Sequence, residues 1–333
     1  MKKVAAKKKE SVKKQGAAKA NLKPKATATQ KKLSEIESVH FTLGSWQDEV
    51  VDSTSRKPKG VLLPGLTDHL LRSGSRSEGT RSSQLRLAAG GLGARGVGDR
   101  NIIGDDDRQR VTDSNLLPYP WICYLDFRSK LGVPMIGTGW LIGPRTVVTA
   151  GHCIYSRVEF DDQGNHVGIG EMKQYRVSAG INGELNEALA VTTVVEMATT
   201  NQWIQYGMTA YDFGVLYLDR SMEDEGITGQ FSVGILEPGE EGTLVCVVGY
   251  PWDKQSPNNG SMWADVNRVV SINDQQLSHE ADTLGGDSGA PVIYADGQGN
   301  FIAVGIHNYG GDSANFATRI NQQVANQLEA WIR

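Results

Sequence analysis

The sequence predicts an all-β protein that ends in a short helix. Between residues 116 and 310, short β-rich runs are broken by Gly, Asn, Asp and Pro, which is typical of β-barrels or sandwiches and not of alternating β and α units. The runs are 121–127, 138–142, 146–149, 191–197, 213–218, 243–249, 265–272, 291–294 and 301–306. In 321–332, an amphipathic pattern puts Val324, Leu328 and Trp331/Ile332 on one helical face.

The first hundred residues differ from the rest in charge and composition. Of the chain's 34 Lys and Arg, 21 lie in residues 1–100, together with 9 of its 38 Asp and Glu, so a basic arm precedes an acidic domain. Residues 1–32 have almost no large apolar groups, which predicts disorder. Residues 73–100 have the Ser, Gly and Arg content of a flexible linker. The scattered apolar groups of 33–75 fit a short helix or a strand that packs on the domain.

The basic arm has several readings. It is a solvated tail, or it docks on the acidic domain, or it binds nucleic acid or an anionic surface weakly. The charged start is not followed by an apolar stretch, so no secretory signal is recognised, and no run of the chain is long enough to span a membrane. We therefore leave the compartment open.

A serine flanked by glycines carries the first candidate chemistry. Thr283-Leu284-Gly285-Gly286-Asp287-Ser288-Gly289-Ala290-Pro291 can hold a nucleophilic hydroxyl on a tight turn. Gly286 permits a backbone conformation that a side chain forbids, and the N–H groups of Gly286 and Ser288 are the natural donors to an oxyanion. Such a serine is also common in plain turns.

A histidine upstream favours the catalytic reading. In the stretch 139–153, two β-rich runs flank a Gly-Pro turn, and His152 lies just past the second run. Thr-Ala-Gly-His-Cys (149–153), taken with Gly-Asp-Ser-Gly-Ala-Pro (286–291), resembles the trypsin/chymotrypsin-type serine peptidases, in which His precedes Ser. The resemblance implies a carboxylate between His152 and Ser288 that orients the imidazole.

Asp212 fits that third role best. It opens the apolar run 213–218, so its carboxylate can be shielded from water and still reach a histidine. The alternative is a surface Asp that caps a strand. The other acidic candidates lie in polar or turn-like contexts: Asp161, Asp162, Asp219 and Asp253.

Four further segments narrow the resemblance to the glutamyl endopeptidases, bacterial trypsin-fold peptidases that cut after Glu and less readily after Asp. Residues 101–112 (NIIGDDDRQRVT) are similar to the family's mature N-terminal segment. Residues 137–144 are similar to the run before its His, 249–254 to its Gly-Tyr-Pro-x-Asp-Lys, and 306–311 to its His-containing pocket wall.

The resemblance implies a chymotrypsin-like double β-barrel over 101–333, made as a zymogen. The barrels would span roughly 101–225 and 226–320, with a C-terminal helix over 321–333. Residues 1–100 would then be a pro-segment, removed by an activating protease at the Arg100–Asn101 bond.

Three residues are implied to recognise an acidic side chain. Thr283 offers a hydroxyl, His307 can hydrogen-bond a carboxylate and become charged, and the freed α-amino group of Asn101 would assist. The alternatives are a strand-edge threonine and a packed or surface imidazole. Without this pocket, a peptidase of different specificity remains.

The sequence departs from the family pattern at the serine turn and at the cysteines. Asp287 stands where these enzymes commonly carry Asn or Gln, and in trypsin an Asp here pairs with a freed N-terminal amine. Cys153 has no partner near Gly137, so the bridge that often ties the histidine loop is not expected. Cys123 and Cys246 lie in strand-like runs and are interpreted as core thiols.

We expect neither a metal nor a cofactor. His40, His69, His166 and His279 are isolated in sequence, and 160–166 fits a hairpin tip better than a Ca²⁺ loop. The expected partners are peptide or protein substrates with acidic residues and an activating protease, and we expect a monomer. A binding protein that works through its Lys-rich arm is the alternative from another class.

Overall fold

A computed structural model of the chain describes residues 36–43, 102–161, 163–183, 187–255 and 260–333. The disorder predicted for 1–32 and the linker predicted for 73–100 lie outside these residues, as do Arg100 and Asn101. Within them, two closed six-stranded β-barrels confirm the predicted chymotrypsin-like fold. No helix in this part of the chain is long and apolar enough to cross a membrane.

Six antiparallel strands close the first barrel: β3 (Ile122–Arg128), β4 (Pro134–Gly143), β5 (Thr146–Thr149), β8 (Lys173–Ala179), β9 (Ala190–Thr200) and β10 (Gly214–Leu218). Hydrogen bonds join them in the order β9-β10-β5-β4-β3-β8 and back to β9. One further short pair of strands, β6 (Tyr155–Ser156) and β7 (Gly170–Glu171), forms a separate two-stranded sheet. The long β9 pairs first with β8 and then with β10, which closes the barrel.

The second barrel is closed in the same way by β12 (Leu244–Gly249), β13 (Trp263–Ile272), β14 (Gln276–His279), β15 (Pro291–Ala295), β16 (Phe301–Tyr309) and β17 (Asn315–Arg319). Hydrogen bonds join these strands in the order β16-β15-β12-β13-β14-β17 and back to β16. Two short strands add to its rim, β2 (Gln109–Arg110) on β13 and β11 (Ser232–Val233) on β16.

One strand comes from the N-terminal hundred residues. β1 (Ser38–Thr42) pairs antiparallel with the end of β9. This agrees with the expectation that the apolar groups of 33–75 form a short helix or a strand against the domain. The described chain from Ile36 to Arg333 forms one compact unit.

Large apolar side chains join the two barrels. Trp140 from the first barrel, Phe231 from the connection and Tyr250 at the end of β12 are fully buried in one cluster. The same cluster receives the C-terminal helix. Each barrel interior has a smaller cluster of its own.

Two α-helices occur in the described residues, α1 (Asn201–Tyr206) and α2 (Gln322–Trp331). Val324, Leu328 and Trp331 are buried on α2, as the periodicity predicted, but Ile332 is not on that face. It lies beyond the last helical residue in extended backbone and is 39% exposed.

The cap of α2 gives a test of how this helix is anchored. The Asn321 side chain accepts hydrogen bonds of 3.0 Å from the N–H groups of Gln323 and Val324, and its amide donates to the Asp274 carbonyl at 2.8 Å. We expect Asn321→Ala to lower the free energy of unfolding by about 1 kcal/mol, since it removes an N-terminal cap. Denaturant titration measures this change. Asn321→Asp keeps the cap and loses only the amide bond, so it should cost less; equal losses would contradict the capping role.

Candidate active site

Short 3₁₀ turns bring His152 and Asp212 together at one end of the first barrel. His152 lies in the turn Gly151–Cys153 after β5, and Asp212 follows the turn Thr209–Tyr211 before β10. The Asp212 carboxylate accepts from the His152 main-chain N–H at 2.6 Å and pairs with the ring Nδ1 at 2.7 Å. A Cβ on Gly151 would lie 2.9 Å from Asp212 Oδ1, so only glycine allows this approach.

The Asp212 carboxylate is completely buried and is satisfied from the second barrel as well. The Tyr309 hydroxyl donates a short hydrogen bond to Oδ2, and the Asn308 side-chain amide donates to the Asp212 main-chain carbonyl. Both donors are at the end of β16, 96 and 97 residues from Asp212. The sequence analysis placed 306–311 in the pocket wall and missed this role of Asn308 and Tyr309.

The aspartate controls the charge of the imidazole. Burial by itself lowers the pKa of His152, but the Asp212 carboxylate at Nδ1 outweighs it, so the pKa of His152 is raised well above its usual value of 6.5. The imidazole contacts the rings of Trp203 and Tyr309 at centroid distances of 6.4 and 5.8 Å. Its side chain is 28% exposed, which leaves one edge open.

Ser288 is held beside the histidine turn through its main chain. Its carbonyl accepts from the Thr138 N–H at 2.9 Å and from the Cys153 thiol at 3.8 Å. Among the described residues, no hydrogen bond joins the Ser288 hydroxyl to His152. Nucleophile–base contacts of this kind are often long until a substrate is bound.

The serine turn leaves two main-chain donors without an acceptor. Gly286 has φ +100°, and a Cβ there would lie 2.4 Å from the Tyr250 carbonyl oxygen, so the position needs glycine. The Thr138 hydroxyl fixes the turn by donating to the Gly286 carbonyl at 2.8 Å. In the described part of the chain, the Gly286 and Ser288 N–H groups donate to no acceptor. Such a pair of N–H groups can receive a developing oxyanion.

Two buried polar side chains lie beside the serine turn: Thr283 precedes it in the chain, and the His307 main chain bonds to Gly289 and Ala290. Thr283 is fully buried and His307 is 2% exposed. The Thr283 hydroxyl and His307 Nδ1 have no hydrogen-bond partner in the described structure. Buried polar atoms left unpaired cost about 1–3 kcal/mol each, and completion of their bonds by a ligand is one reason for a protein to retain them.

A second histidine backs this pocket. The His279 ring packs against His307 at a centroid distance of 5.5 Å, and both of its ring nitrogens are buried without a hydrogen-bond partner among the described residues. Burial lowers the pKa of His279 to about 4, partly offset by the Ala281 main chain. Burial also lowers the pKa of His307 well below its usual value, and His279 and His152 add to the effect. His279 is isolated in the sequence, because His307 is 28 residues away.

The chain's 102–108 segment is tied to the same pocket. The Ile103 and Asp107 N–H groups donate to the two carboxylate oxygens of Asp282, at 2.7 and 2.9 Å, directly before Thr283. Arg108 is buried and forms ion pairs with Asp106 and Asp253 at 2.9 and 2.7 Å.

Asp287 is buried beneath the serine turn. Its Oδ2 accepts from the Leu284 N–H at 2.9 Å, and no Lys, Arg or His in the described ranges forms an ion pair with it. Burial raises its pKa to about 7, although Arg108 lowers it in part.

The cysteines are free and buried. Cys123, Cys153 and Cys246 form no disulfide. Burial raises the pKa of the Cys123 thiol and of the Cys246 thiol well above the usual value. In the part of the chain that the structure describes, no three His, Cys, Asp or Glu side chains are grouped as metal ligands.

Comparisons with known proteins agree with this geometry. Residues 109–332 match the Trypsin family model. A Glutamyl endopeptidase of Bacillus licheniformis is 32% identical over 239 residues, which cover 70% of this chain and 69% of that protein. A Bacillus subtilis protein named Extracellular metalloprotease is 30% identical over 233 residues, 69% of each chain.

A solved structure shares the fold. The structure of a Glu endopeptidase in complex with MPD superposes with a TM-score of 0.58 at 24% identity, and the match covers 69% of this chain and 98% of that one. The family model spans most of the chain, and two relatives reach 30% identity over more than two thirds of their length. The chain therefore belongs to the trypsin family of serine endopeptidases.

Proposed function

We propose that the chain hydrolyses peptide bonds through Ser288, His152 and Asp212. The observation that carries this is the Asp212 carboxylate, completely buried and bonded to both the Nδ1 and the main-chain N–H of His152. His152 takes the proton of the Ser288 hydroxyl as it attacks the scissile carbonyl, and returns it to the leaving amine. Asp212 holds the tautomer that leaves Nε2 free to accept and stabilises the imidazolium.

The Gly286 and Ser288 N–H groups bind the oxyanion. They are the donors that the turn leaves unused, and the loss of one such donor in comparable enzymes costs about 10²–10³ in kcat. Because they need no rearrangement to receive charge, the turn is already organised for the transition state.

Substitutions of the serine and the aspartate test this chemistry. We expect Ser288→Ala to abolish the cleavage of a peptide library read by mass spectrometry. Asp212→Asn should lower kcat about 10⁴-fold, as the equivalent substitution does in a Ser-His-Asp peptidase, because the amide favours the wrong tautomer of His152.

The pH profile separates a catalytic effect of Asp212 from misfolding. His152 must be neutral to act as a base, so activity is lost as the pH falls through its pKa, which Asp212 raises. The residual activity of Asp212→Asn should therefore extend to lower pH than that of the wild type. An acid limb at the same pH in both proteins would contradict the assigned role of Asp212.

We further propose that the pocket of Thr283 and His307 selects Glu, or Asp, before the scissile bond. The unpaired Thr283 hydroxyl and His307 imidazole are donors that a substrate carboxylate would satisfy. The relative named Glutamyl endopeptidase supports this reading. His279 stands behind His307 and gives it a buried polar neighbour rather than an apolar wall.

A ratio of two substrates tests the pocket. In the empty pocket His307 is neutral at pH 7, because burial holds its pKa well below its usual value. A bound carboxylate favours its protonation, so Glu binding takes up a proton. The ratio of kcat/KM for matched Glu and Gln peptides should rise as the pH falls from about 8 to 6. The ratio cancels the ionisation of His152, which both substrates share.

Substitutions of Thr283 and His307 should reduce the ratio of kcat/KM for Glu over Gln peptides. They should leave kcat/KM for the Gln peptide close to that of the wild type. Thr283→Val removes one hydrogen-bond donor to a charged group, and His307→Gln removes the ring that can become charged. Each should lower the ratio by about 10- to 100-fold. Equal cleavage after Gln and Glu by the wild type at neutral pH would end the specificity assignment and leave the peptidase chemistry intact. In that case the chain is a trypsin-fold peptidase of different specificity.

We also propose that the chain is a zymogen activated after Arg100. Ile103 is bound to Asp282 beside the pocket, so a free amine on Asn101, two residues earlier, has only about 7 Å of chain to span. Two carboxyl groups are candidate partners for that amine: the substrate carboxylate, and Asp287, which forms no ion pair among the described residues and whose pKa burial raises to about 7. A cationic amine beside Asp287 would favour its ionised form. Arg100 and Asn101 themselves lie outside the described residues.

Blocking the cleavage tests the activation step. Treatment of the wild type with a trypsin-like activator should raise its Glu-directed activity and yield a new N-terminus at Asn101, identified by mass spectrometry. Arg100→Gln should stay inactive, whereas Arg95→Gln, an equal change in charge five residues away, should activate normally. Full activity of uncut Arg100→Gln would overturn the zymogen assignment.

A further inference from the structure

The outer edge of β9 carries a strand that comes from the segment before Arg100. β1 pairs with β9 over five consecutive residues, from Ser38 opposite Thr200 to Thr42 opposite Glu196. Main-chain bonds extend the ladder at both ends: the Asn201 N–H donates to the Glu37 carbonyl at 2.6 Å, and the Leu43 N–H donates to the Val195 carbonyl at 2.8 Å. The paired segment is therefore 37–43, about one standard strand.

Side chains give this strand a specific seat. Val39 and Phe41 are half-buried, whereas Ser38, His40 and Thr42 are exposed. Phe41 packs on the interior cluster of the first barrel and stacks on Tyr155 at a centroid distance of 6.2 Å. Alternate pockets of this kind are what gives sequence preference to a peptide that is added to a sheet edge.

Polar contacts tie the same strand to the C-terminal helix. The Ser38 hydroxyl accepts from the side chains of Gln327 and Trp331, each at 3.1 Å. His40 Nδ1 meets the Glu196 carboxylate at 2.7 Å, and Glu196 also pairs with Arg333 at 2.6 Å. These contacts join three distant parts of the chain around one edge.

The seat adjoins the candidate active site. Asn201, which binds the Glu37 main chain, begins α1, and its side-chain amide also donates to the Glu37 carboxylate at 3.0 Å. Trp203 of α1 contacts the His152 ring, and the preceding Thr200 donates to the Tyr211 carbonyl at 2.6 Å, one residue before Asp212. A strand that fixes 200–201 therefore also restrains the chain on either side of the imidazole.

We propose that the β9 edge is a peptide-binding site for residues 36–43, and that this segment stays bound as a separate chain after cleavage between 44 and 101. The active form is then a complex of two chains. The bound strand positions α1 and the Thr200–Asp212 connection beside His152, without contact with substrate. The inference extends the proposed cleavage after Arg100, but the test of strand retention uses an engineered cut and does not depend on that site.

Retention of the strand is tested with the full chain. A recognition site for a site-specific protease is placed within residues 80–95 of the Ser288→Ala protein, which cannot digest itself by the proposed mechanism. After complete cutting, the N-terminal fragment should co-elute with the domain in size-exclusion chromatography at about 10 µM, as a Kd in the low micromolar range or below requires. Separation of the two fragments would overturn the inference, and so would a dimer in the uncut chain, since a second copy would then supply the strand.

Two neighbouring positions provide a matched pair of variants. Phe41→Lys puts a charge into the half-buried seat and should release the fragment after the cut. Thr42→Lys puts the same charge on the exposed face, opposite Glu196, and should leave it bound. Release of the N-terminal fragment from both variants, or from neither, would contradict specific binding of the strand through its half-buried face. If uncut Phe41→Lys fails to fold, exchange of a labelled peptide of residues 34–45 into the cut wild-type complex decides the question, and a peptide that does not enter overturns it.

Activity distinguishes positioning from mere attachment. In protein that keeps Ser288 and has been cut after Arg100 by the trypsin-like activator, Phe41→Lys should lose about tenfold in kcat relative to Thr42→Lys, with little change in KM, and added 34–45 peptide of native sequence should restore it. Unchanged kcat after verified release would refute the positioning role. If no form cleaves any peptide, the proposed peptidase chemistry fails, and the co-elution result still decides whether the edge binds the strand.

Discussion

The buried carboxylate of Asp212 is the constraint on which the rest of the structure depends. An ionised carboxylate taken out of water is costly unless hydrogen bonds and opposite charge replace its hydration. Its partners come from both barrels: the His152 turn from the first, and the Tyr309 hydroxyl at the end of β16 from the second. The neighbouring Asn308 side chain donates to the main-chain carbonyl of Asp212. Asp212 thus links the ends of the two barrels, in addition to the apolar cluster between them, and it orients the imidazole at the same place.

The neighbouring pocket follows the opposite rule. Both carboxylate oxygens of Asp212 accept hydrogen bonds. In contrast, the Thr283 hydroxyl, His307 Nδ1, the two His279 ring nitrogens and the Gly286 and Ser288 N–H groups have no hydrogen-bond partner in the described structure. Each unpaired group lowers stability, a cost that proteins accept at functional sites and offset by packing elsewhere. The hydrogen-bonded Asp212 thus organises the proposed site, whereas the unpaired groups are those that would bind a substrate.

Local sequence predicted the parts whose cause is local. The glycines of the Ser288 turn, the strand before His152 and the apolar run after Asp212 are all visible within a few residues, and the strongly apolar strands were placed correctly. β8, β14 and β17 were not predicted, because polar residues interrupt their apolar pattern. Tyr309, Asn308 and His279 escaped for a different reason: their roles rest on contacts that only the closed barrels create.

The start of the folded domain also differs between what the composition predicts and what the strand pairing shows. Charge and complexity change near residue 100, which favours a boundary there, yet the sheet reaches back to Ser38. β9 turns from β8 to β10 along its eleven residues, and its last five would present free N–H and carbonyl groups at an edge if β1 were absent. Unpaired edges of this kind recruit any available strand. A strand drawn from the chain's own N-terminal segment satisfies the edge, so the physical unit begins before the point at which the composition changes.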